Sequence, residues 1–174
     1  MVERAMITSA MPSRPTQPQV PKNVGVMVIV VGIIVLGSML VLGFHGSGGG
    51  GSIIQPTRTV NIVNGLITVN ANDYESYQFS VPSGATNVRV QGSFTASGGS
   101  GNDVVVLIMD STDFIHWQNG NQASTYYNSG QLTASSFDVP LPSGLGTYYL
   151  VYSNTFSIGS QKNVNTQANL SYTS

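Results

Sequence analysis

Oxygen-bearing side chains cluster between residues 102 and 113, and their types could bind a divalent cation. Asp110 and Asp113 enclose a Ser-Thr pair, and Asn102-Asp103 ends seven residues before Asp110. Carboxylate and amide oxygens are the ligands that Ca²⁺ prefers. The spacing is not that of an EF-hand loop, and the same residue types are ordinary turn formers. Asp110 and Asp113 are therefore a candidate calcium site, set against the simpler interpretation of a solvated turn, and no other cofactor is predicted.

The segment Phe114–Tyr127 contains the only tryptophan of the chain, Trp117, among amides and tyrosines. An aromatic face beside amide groups suits a sugar ring, because the ring can stack while its hydroxyls form hydrogen bonds. The candidate glycan-binding residues are Trp117, Asn119, Tyr126 and Tyr127. Apolar and polar residues alternate here, which favours a second interpretation: Ile115 and Trp117 face the core from a strand that turns at Asn119-Gly120.

Residue types used by hydrolases occur in the same region, at Ser111, Asp113, His116 and Ser124. A catalytic triad needs a nucleophile on a sharp turn, with a base and an orienting acid within hydrogen-bond reach. No nucleophile-elbow motif surrounds either serine. The two histidines, His45 and His116, are too far apart in the sequence to indicate a zinc site. We predict no catalytic residue and no enzyme activity.

The residues that must position these groups, 58–174, show a β-strand pattern almost throughout. Tyr77, Phe79 and Val81 alternate with polar residues, and Pro-Ser-Gly then breaks the strand. The continuous apolar run Val104–Met109 predicts a central strand covered on both faces. No stretch after Phe44 shows convincing helical periodicity. Eight or nine short strands predict an all-β domain, an antiparallel β-sandwich that is jelly-roll-like.

Asn64-Gly65 is the strongest short hairpin signal in the chain, because a type I′ turn needs positive φ at both central residues. It predicts that Thr59–Val63 pairs with Leu66–Asn70 in the same chain, which favours a monomer. The alternative is that Thr59–Val63 is donated to a neighbouring copy. Few charged side chains are present to prevent edge-to-edge pairing of the outer strands, so self-association is a further alternative.

Two segments, Tyr77–Val90 (YQFSVPSGATNVRV) and Gly146–Val151 (GTYYLV), resemble strands of small prokaryotic extracytoplasmic β-sandwiches. The pattern is similar to the Golgi dynamics (GOLD) domain and to bacterial pre-peptidase C-terminal domains. The resemblance covers residues 73–172 and implies a jelly-roll-like sandwich used for binding or assembly, without catalytic residues. GOLD domains of cargo receptors commonly contain a cysteine pair and precede a membrane span. This chain has no cysteine and places its apolar segment first, so cargo-receptor function is not implied.

The apolar segment Val24–Phe44 contains no charged residue. As a helix it is ~31 Å long, about the thickness of the hydrocarbon core of a bilayer. The run is too long and begins too late for a removable signal peptide. It predicts one uncleaved transmembrane α-helix. Residues 1–23 are a Pro-rich arm predicted to be disordered, and residues 45–57 form a Gly/Ser-rich linker.

The distribution of charge predicts the orientation of this span. Residues 1–23 carry three cations and one anion, a net charge of +2, whereas residues 45–174 carry three cations and six anions, a net charge of −3. Cationic residues favour the cytoplasmic side of a span. The arm is therefore expected inside the cell and the β-domain outside, where Asn169, in Asn-Leu-Ser, is a candidate glycosylation site. A net charge of −1 over the whole chain argues against nucleic acid as a partner.

These features predict a single-pass cell-surface protein whose β-sandwich is a binding or structural module. A surface protein or a glycan is the expected kind of partner, besides the membrane itself. The alternative from another class is a filament subunit, with a pilin-like helix, a β head and strand donation. A pilin needs a processing site just before the apolar run, and Lys22-Asn23-Val24 fits one poorly.

Overall fold

The computed structural model of the protein describes residues 55–174. The predicted arm, the apolar segment Val24–Phe44 and most of the linker lie outside the described residues. Within them no helix is both long and apolar enough to cross a membrane. The elements are β1 (Thr57–Val69), β2 (Tyr74–Val81), β3 (Thr86–Ser97), β4 (Val104–Asp110), α1 (Ser111–Gln118), β5 (Tyr127–Leu132), β6 (Ala134–Pro140), β7 (Gly146–Ser153) and β8 (Lys162–Thr173).

Eight strands form two antiparallel four-stranded sheets that pack as a β-sandwich. The first sheet has the order β1-β8-β3-β6, and the second has the order β2-β7-β4-β5. Every strand pair is antiparallel. The prediction of an all-β domain with antiparallel sheets is therefore confirmed for the described part of the chain.

The core lies between the sheets and is filled by the apolar residues that alternate along each strand. On β3 and β8 the inward positions are buried, while the intervening Asn, Gln, Ser and Thr residues lie on the outer face of the first sheet. One inward position has no room for a side chain. A Cβ at Gly92 would lie 2.5 Å from the Gln167 carbonyl oxygen and 2.6 Å from the Phe137 ring. This glycine allows the large Phe137 ring to enter the core.

The run Val104–Met109 forms β4, and the prediction that both of its faces are covered is confirmed. Val106 and Ile108 point into the sandwich core. Leu107 and Met109, on the opposite face, belong to a second apolar cluster under α1. Burial of each such side chain stabilises the fold by about 1.5–3 kcal/mol.

The predicted hairpin at Asn64-Gly65 is wrong. β1 continues through these residues and pairs with β8 from Thr57 opposite Thr173 to Val69 opposite Lys162, with one irregularity near Ile62. Gly65 has a φ of +141°, so the glycine serves a local distortion of the strand instead of a turn. Pairing with β8 closes a long loop, but loop-closure entropy grows only slowly with length. Beside β8, β1 buries Ile62, Val63 and Val69 in the core, which offsets this cost.

The expectation that residues 111–118 lack helical structure is also wrong. They form α1, and Asp110 caps its N-terminus by accepting hydrogen bonds from the backbone N–H groups of Thr112 and Asp113, both at 2.9 Å. Such a cap stabilises a short helix by about 1 kcal/mol. A helix of two turns offers too few residues for a clear 3.6-residue pattern. Ile115, predicted to be core, is 56% exposed.

Candidate functional site

Trp117 lies on α1, against the outer face of the second sheet. Its ring contacts the Tyr74 ring edge-on, with 4.9 Å between centroids, and stacks on Phe114 at 6.2 Å. Gln118, next to it, donates a hydrogen bond from Nε2 to the Tyr74 hydroxyl. Trp117 is half-buried and fastens α1 to β2. Only part of its ring surface remains open to a ligand.

The other three candidate glycan residues lie apart from Trp117. The Asn119 side chain donates to the Ile115 carbonyl at 2.8 Å and so ends the helix. Tyr127 packs on Phe137, at 5.1 Å between ring centroids, on the inner side of the second sheet. Tyr126 is exposed and contacts Tyr148 instead, at 5.7 Å. The four residues therefore do not form one common face.

The two candidate calcium ligands take part in local hydrogen bonding. Asp110 caps α1, and Asp113 accepts a hydrogen bond from the Ser124 N–H at 2.9 Å, which holds the segment after the helix. Among residues 55–174 no three His, Cys, Asp or Glu side chains are grouped so that they could hold a metal ion. Asn169 lies on the outer face of the first sheet, where its side chain accepts a hydrogen bond from Asn61 at 3.2 Å.

The strand directions give the sandwich two distinct ends. The start of β1 lies opposite the end of β8, which also lies opposite the start of β3: Thr57 and Thr86 both face Thr173. We name this the tether end, because the predicted linker enters β1 here. The distal end carries the β1–β2, β3–β4, β5–β6 and β7–β8 connections.

Asn154 is fully buried at the distal end and joins two of its loops. Its Nδ2 donates to the carbonyls of Asn70 at 2.9 Å and Ser160 at 2.8 Å. Its backbone N–H donates to the Asp73 carbonyl at 2.9 Å. The side chain thus ties the β1–β2 loop to the β7–β8 loop. Its Oδ1 has no hydrogen-bond partner among the described residues, and such a buried polar atom costs about 1–3 kcal/mol.

A buried ion pair fixes a third loop to the same end. Lys162 Nζ lies 2.9 Å from Asp103 Oδ1, and the Lys162 side chain is only 3% exposed. The ammonium also lies 5.8 Å from the centre of the Phe156 ring. Two attractive partners offset the cost of removing this cation from water. The pair ties the β3–β4 loop to the first residue of β8.

The β7–β8 loop, residues 154–161, presents an apolar tip to solvent. Ile158 is 99% exposed, and Phe156 is exposed at the margin of the ion pair. The loop is ordered by its own bonds, since Ser157 N–H donates to the Asn154 carbonyl and Ser157 Oγ donates to the Ser160 carbonyl, both at 3.1 Å. Because binding residues are often carried by loops that a rigid scaffold holds in place, this loop is a candidate binding surface.

Sequence reasoning missed this distal site. Two apolar residues, Phe156 and Ile158, interrupt a run of Ser, Asn, Thr and Gly after β7. Two apolar residues within a polar loop were the one sequence feature that could have indicated this site. The supporting residues could not have been found in this way, because Asn154 and Asn70 are 84 residues apart in sequence, and Lys162 and Asp103 are 59 apart.

Comparison with known proteins adds no identification. No protein-family model matches the chain, and no curated protein matches it either. The resemblance to GOLD and pre-peptidase C-terminal domains therefore stays a prediction.

Proposed function

We propose that this chain is a single-pass, membrane-anchored cell-surface protein that binds a protein partner through the distal end of its β-sandwich. Val24–Phe44 is the anchor, the arm lies in the cytoplasm, and the sandwich lies outside. The order of strands in the two sheets supports a jelly-roll-like fold, since consecutive strands lie in opposite sheets except for β4 and β5, which are neighbours in the second sheet. The proposal assigns no enzyme activity and no cofactor.

The fully exposed Ile158 is the observation that carries the choice of the distal end. Exposure of an aliphatic side chain to water is unfavourable in free energy, and burial in an apolar pocket on a partner removes that cost. The loop is already held by Asn154, so little conformational entropy is lost on binding. These are the properties of an interface anchor surrounded by a polar rim.

The charge around Ile158 indicates the chemistry of the partner. Lys162 pairs with Asp103 inside the structure, whereas Asp73 and Glu75 lie at the same end and are partly exposed. Burial raises the pKa of the Glu75 carboxyl, and the nearby charge of Asp73 raises it further. A partner with an apolar pocket and a basic rim fits best, since complementary charge directs association.

The orientation is tested by protease treatment of intact cells that carry the full chain. We expect the fragment that contains the sandwich to be lost and the arm to be protected. Permeabilised cells provide the control, in which both are digested. Protection of the sandwich in intact cells would contradict the proposed topology.

The binding site is tested with a photo-crosslinking residue at Ile158 in intact cells. We expect one discrete protein adduct there and none when the same residue replaces Thr95 on the outer face of the first sheet. The adduct identifies the partner, and binding of the purified partner is then measured. Ile158→Asp should weaken affinity at least about tenfold, and Ile158→Leu should weaken it little. Equal affinity of the two variants would refute the site.

The filament alternative has one observation in its favour. β1 is an edge strand that pairs with β8 alone, and it is the first element after the predicted linker. A neighbour's β1 could therefore replace it without loss of pairing. Light scattering on residues 55–174 separates the two functions. Polymers that grow with concentration and disappear when β1 is deleted would favour the filament, whereas monomers favour the binding module.

A further inference from the structure

We propose that the tether end of the sandwich rests on the lipid bilayer, with Leu145 inserted among the lipid headgroups and upper acyl chains. The inference rests on the proposed function, because it requires the anchor Val24–Phe44. It goes beyond that function by assigning an orientation and a second contact surface to the extracellular domain.

Leu145 is 79% exposed in the β6–β7 loop at the tether end. The loop is held firmly, since Leu141 N–H donates to the Val88 carbonyl at 2.9 Å and Gly144 N–H donates to the Ala85 carbonyl at 3.0 Å. Leu141 is buried in the core. The backbone on both sides of the turn is thus fixed, and Leu145 is the apolar residue that the turn leaves in water.

The length of the linker places this turn near the membrane. Twelve residues separate Phe44, the end of the predicted span, from Thr57. A coil of this length has an r.m.s. span of about 19 Å. Thr57 and Thr86 lie on the two strands that flank Thr173, so two strand spacings, about 10 Å, separate them. Ala85, next to Thr86, accepts a hydrogen bond from the β6–β7 loop. Leu145 therefore starts within reach of the bilayer surface.

Tethering changes how strong a lipid contact must be. A single leucine would hold a free protein on a membrane only weakly. The anchor converts that contact into an intramolecular one, for which short linkers give effective concentrations in the millimolar range. A contact that would be negligible in solution is then sufficient to orient the domain.

Two further side chains at the tether end suit a lipid surface. Tyr126 is exposed, and Tyr rings suit the boundary between headgroups and acyl chains. Arg58 is exposed, with Nε donating to Ser174 Oγ at 3.1 Å, and a cation there can meet lipid phosphate. The carboxylates of Asp110 and Asp113 lie near Tyr126, which argues against a strongly anionic lipid surface. A zwitterionic bilayer is the best match.

The chain contains no cysteine, which allows a direct test with one probe per molecule. Leu145→Cys and the matched control Ile158→Cys, both exposed apolar positions at opposite ends, are labelled with a polarity-sensitive nitrobenzoxadiazole fluorophore. The full chain is reconstituted in phosphatidylcholine nanodiscs with and without spin-labelled lipid. We expect the probe at 145 to shift to the blue and to be quenched about threefold more than the probe at 158.

A second pair of variants guards against an effect of the probe itself. The probe is moved to Ser143→Cys in the same turn, with Leu145 either kept or replaced by Asp. We expect lipid quenching at 143 with Leu145 and its loss with Leu145→Asp. Equal quenching at 145 and 158, or quenching at 143 that survives Leu145→Asp, would overturn the proposal. A blue shift at 145 without lipid quenching would also overturn it, and would indicate a protein surface such as a second copy.

Failure of the anchor and failure of the docking give different results. If alkaline carbonate extracts the full chain from membranes, the proposed anchor is wrong. If the chain is retained while the probe at 145 stays in water, the anchor stands and the docking proposal alone is refuted.

Discussion

The two ends of the sandwich each expose an aliphatic side chain, but they hold it by different means. At the tether end, Leu145 sits on a five-residue turn that is fixed by backbone hydrogen bonds to Ala85, in the β2–β3 connection, and to Val88, near the start of β3. At the distal end, Ile158 sits on an eight-residue loop that is fixed by the buried side chain of Asn154, and Lys162, directly after the loop, holds the β3–β4 loop through Asp103. The short turn is held through backbone groups alone, whereas the longer loop adds the buried side chain of Asn154 to the hydrogen bonds of its own backbone. Buried polar interactions are therefore concentrated at the distal end.

The largest expected effect comes from breaking the distal ion pair. Asp103→Ala leaves the Lys162 ammonium buried without its partner, and we expect a loss of about 3–5 kcal/mol in the free energy of unfolding. Urea unfolding of residues 55–174 measures it. Adding Lys162→Met should restore most of the loss, because the unpaired charge is removed. Asp138→Ala breaks the exposed pair with Arg89 and is the matched control, with a much smaller effect. Equal losses from Asp103→Ala and Asp138→Ala would contradict the account of the distal end.

The next effect concerns the side chain that joins two distal loops. Asn154→Ala leaves the carbonyls of Asn70 and Ser160 without their donor, and we expect a loss of about 2–3 kcal/mol. Hydrogen exchange should quicken in the β1–β2 and β7–β8 loops and stay unchanged in the β6–β7 turn. Asn119→Ala, at an exposed amide on the end of α1, is the control. Uniform loss of protection at both ends would show that Asn154 is not a specific tie.

A substitution at Trp117 tests how strongly α1 packs on the second sheet, between the two ends. Its ring is half-buried against Tyr74, so Trp117→Ala should cost about 2 kcal/mol, less than the ~3–5 kcal/mol of a fully buried tryptophan. Ile115→Ala on the exposed side of the same helix should change little. Denaturant midpoints decide this. A midpoint equal to that of the unchanged protein would show that Trp117 does not stabilise the fold and would favour a ligand-binding role for it.

The pH dependence of stability should also differ between charged groups. Burial, and then the charge of Asp73, raises the pKa of the Glu75 carboxyl. The folded state thus binds this proton more tightly than the unfolded state, so stability falls as pH rises through the raised pKa. Glu75→Gln should raise the urea midpoint at about pH 7 and leave it unchanged at about pH 3. The hydrogen bond from Arg89 lowers the pKa of Asp138, so Asp138→Asn should have the opposite sign. Effects of the same sign in the two variants would contradict the raised pKa of Glu75.

The smallest expected effect on stability comes from replacing the two exposed aliphatic side chains, which are proposed to serve binding and not folding. Leu145→Ser and Ile158→Ser should each change the free energy of unfolding by less than about 0.5 kcal/mol, since both side chains are already in water. Thermal unfolding measures this. A clear destabilisation at either position would mean that the side chain packs within the fold and is not available to a membrane or a partner.

The class of fold and much of the core could be predicted from the sequence. Strict alternation along β3 and β8 is a local property of each strand, so the buried face could be predicted before any pairing was known. The apolar run in β4 likewise indicated a strand covered on both faces. Trp117, Asp110 and Asp113 stand out in the sequence for their chemistry; alternation favoured a structural role for Trp117 but on a strand, and the helix cap at Asp110 was not predicted.

Which segments meet could not be predicted from the sequence, because it depends on contacts between remote parts of the chain. The hairpin signal at Asn64-Gly65 was locally sound, but β1 gained more by pairing with β8, about a hundred residues away in the chain. The cap at Asp110 formed a helix whose pattern was too short to detect. The distal end depends on Asn154 and Lys162, whose partners come from remote loops. Local periodicity contains no information about such partners, because hydrogen bonds and ion pairs between loops exist only once the strands have brought those loops to one end.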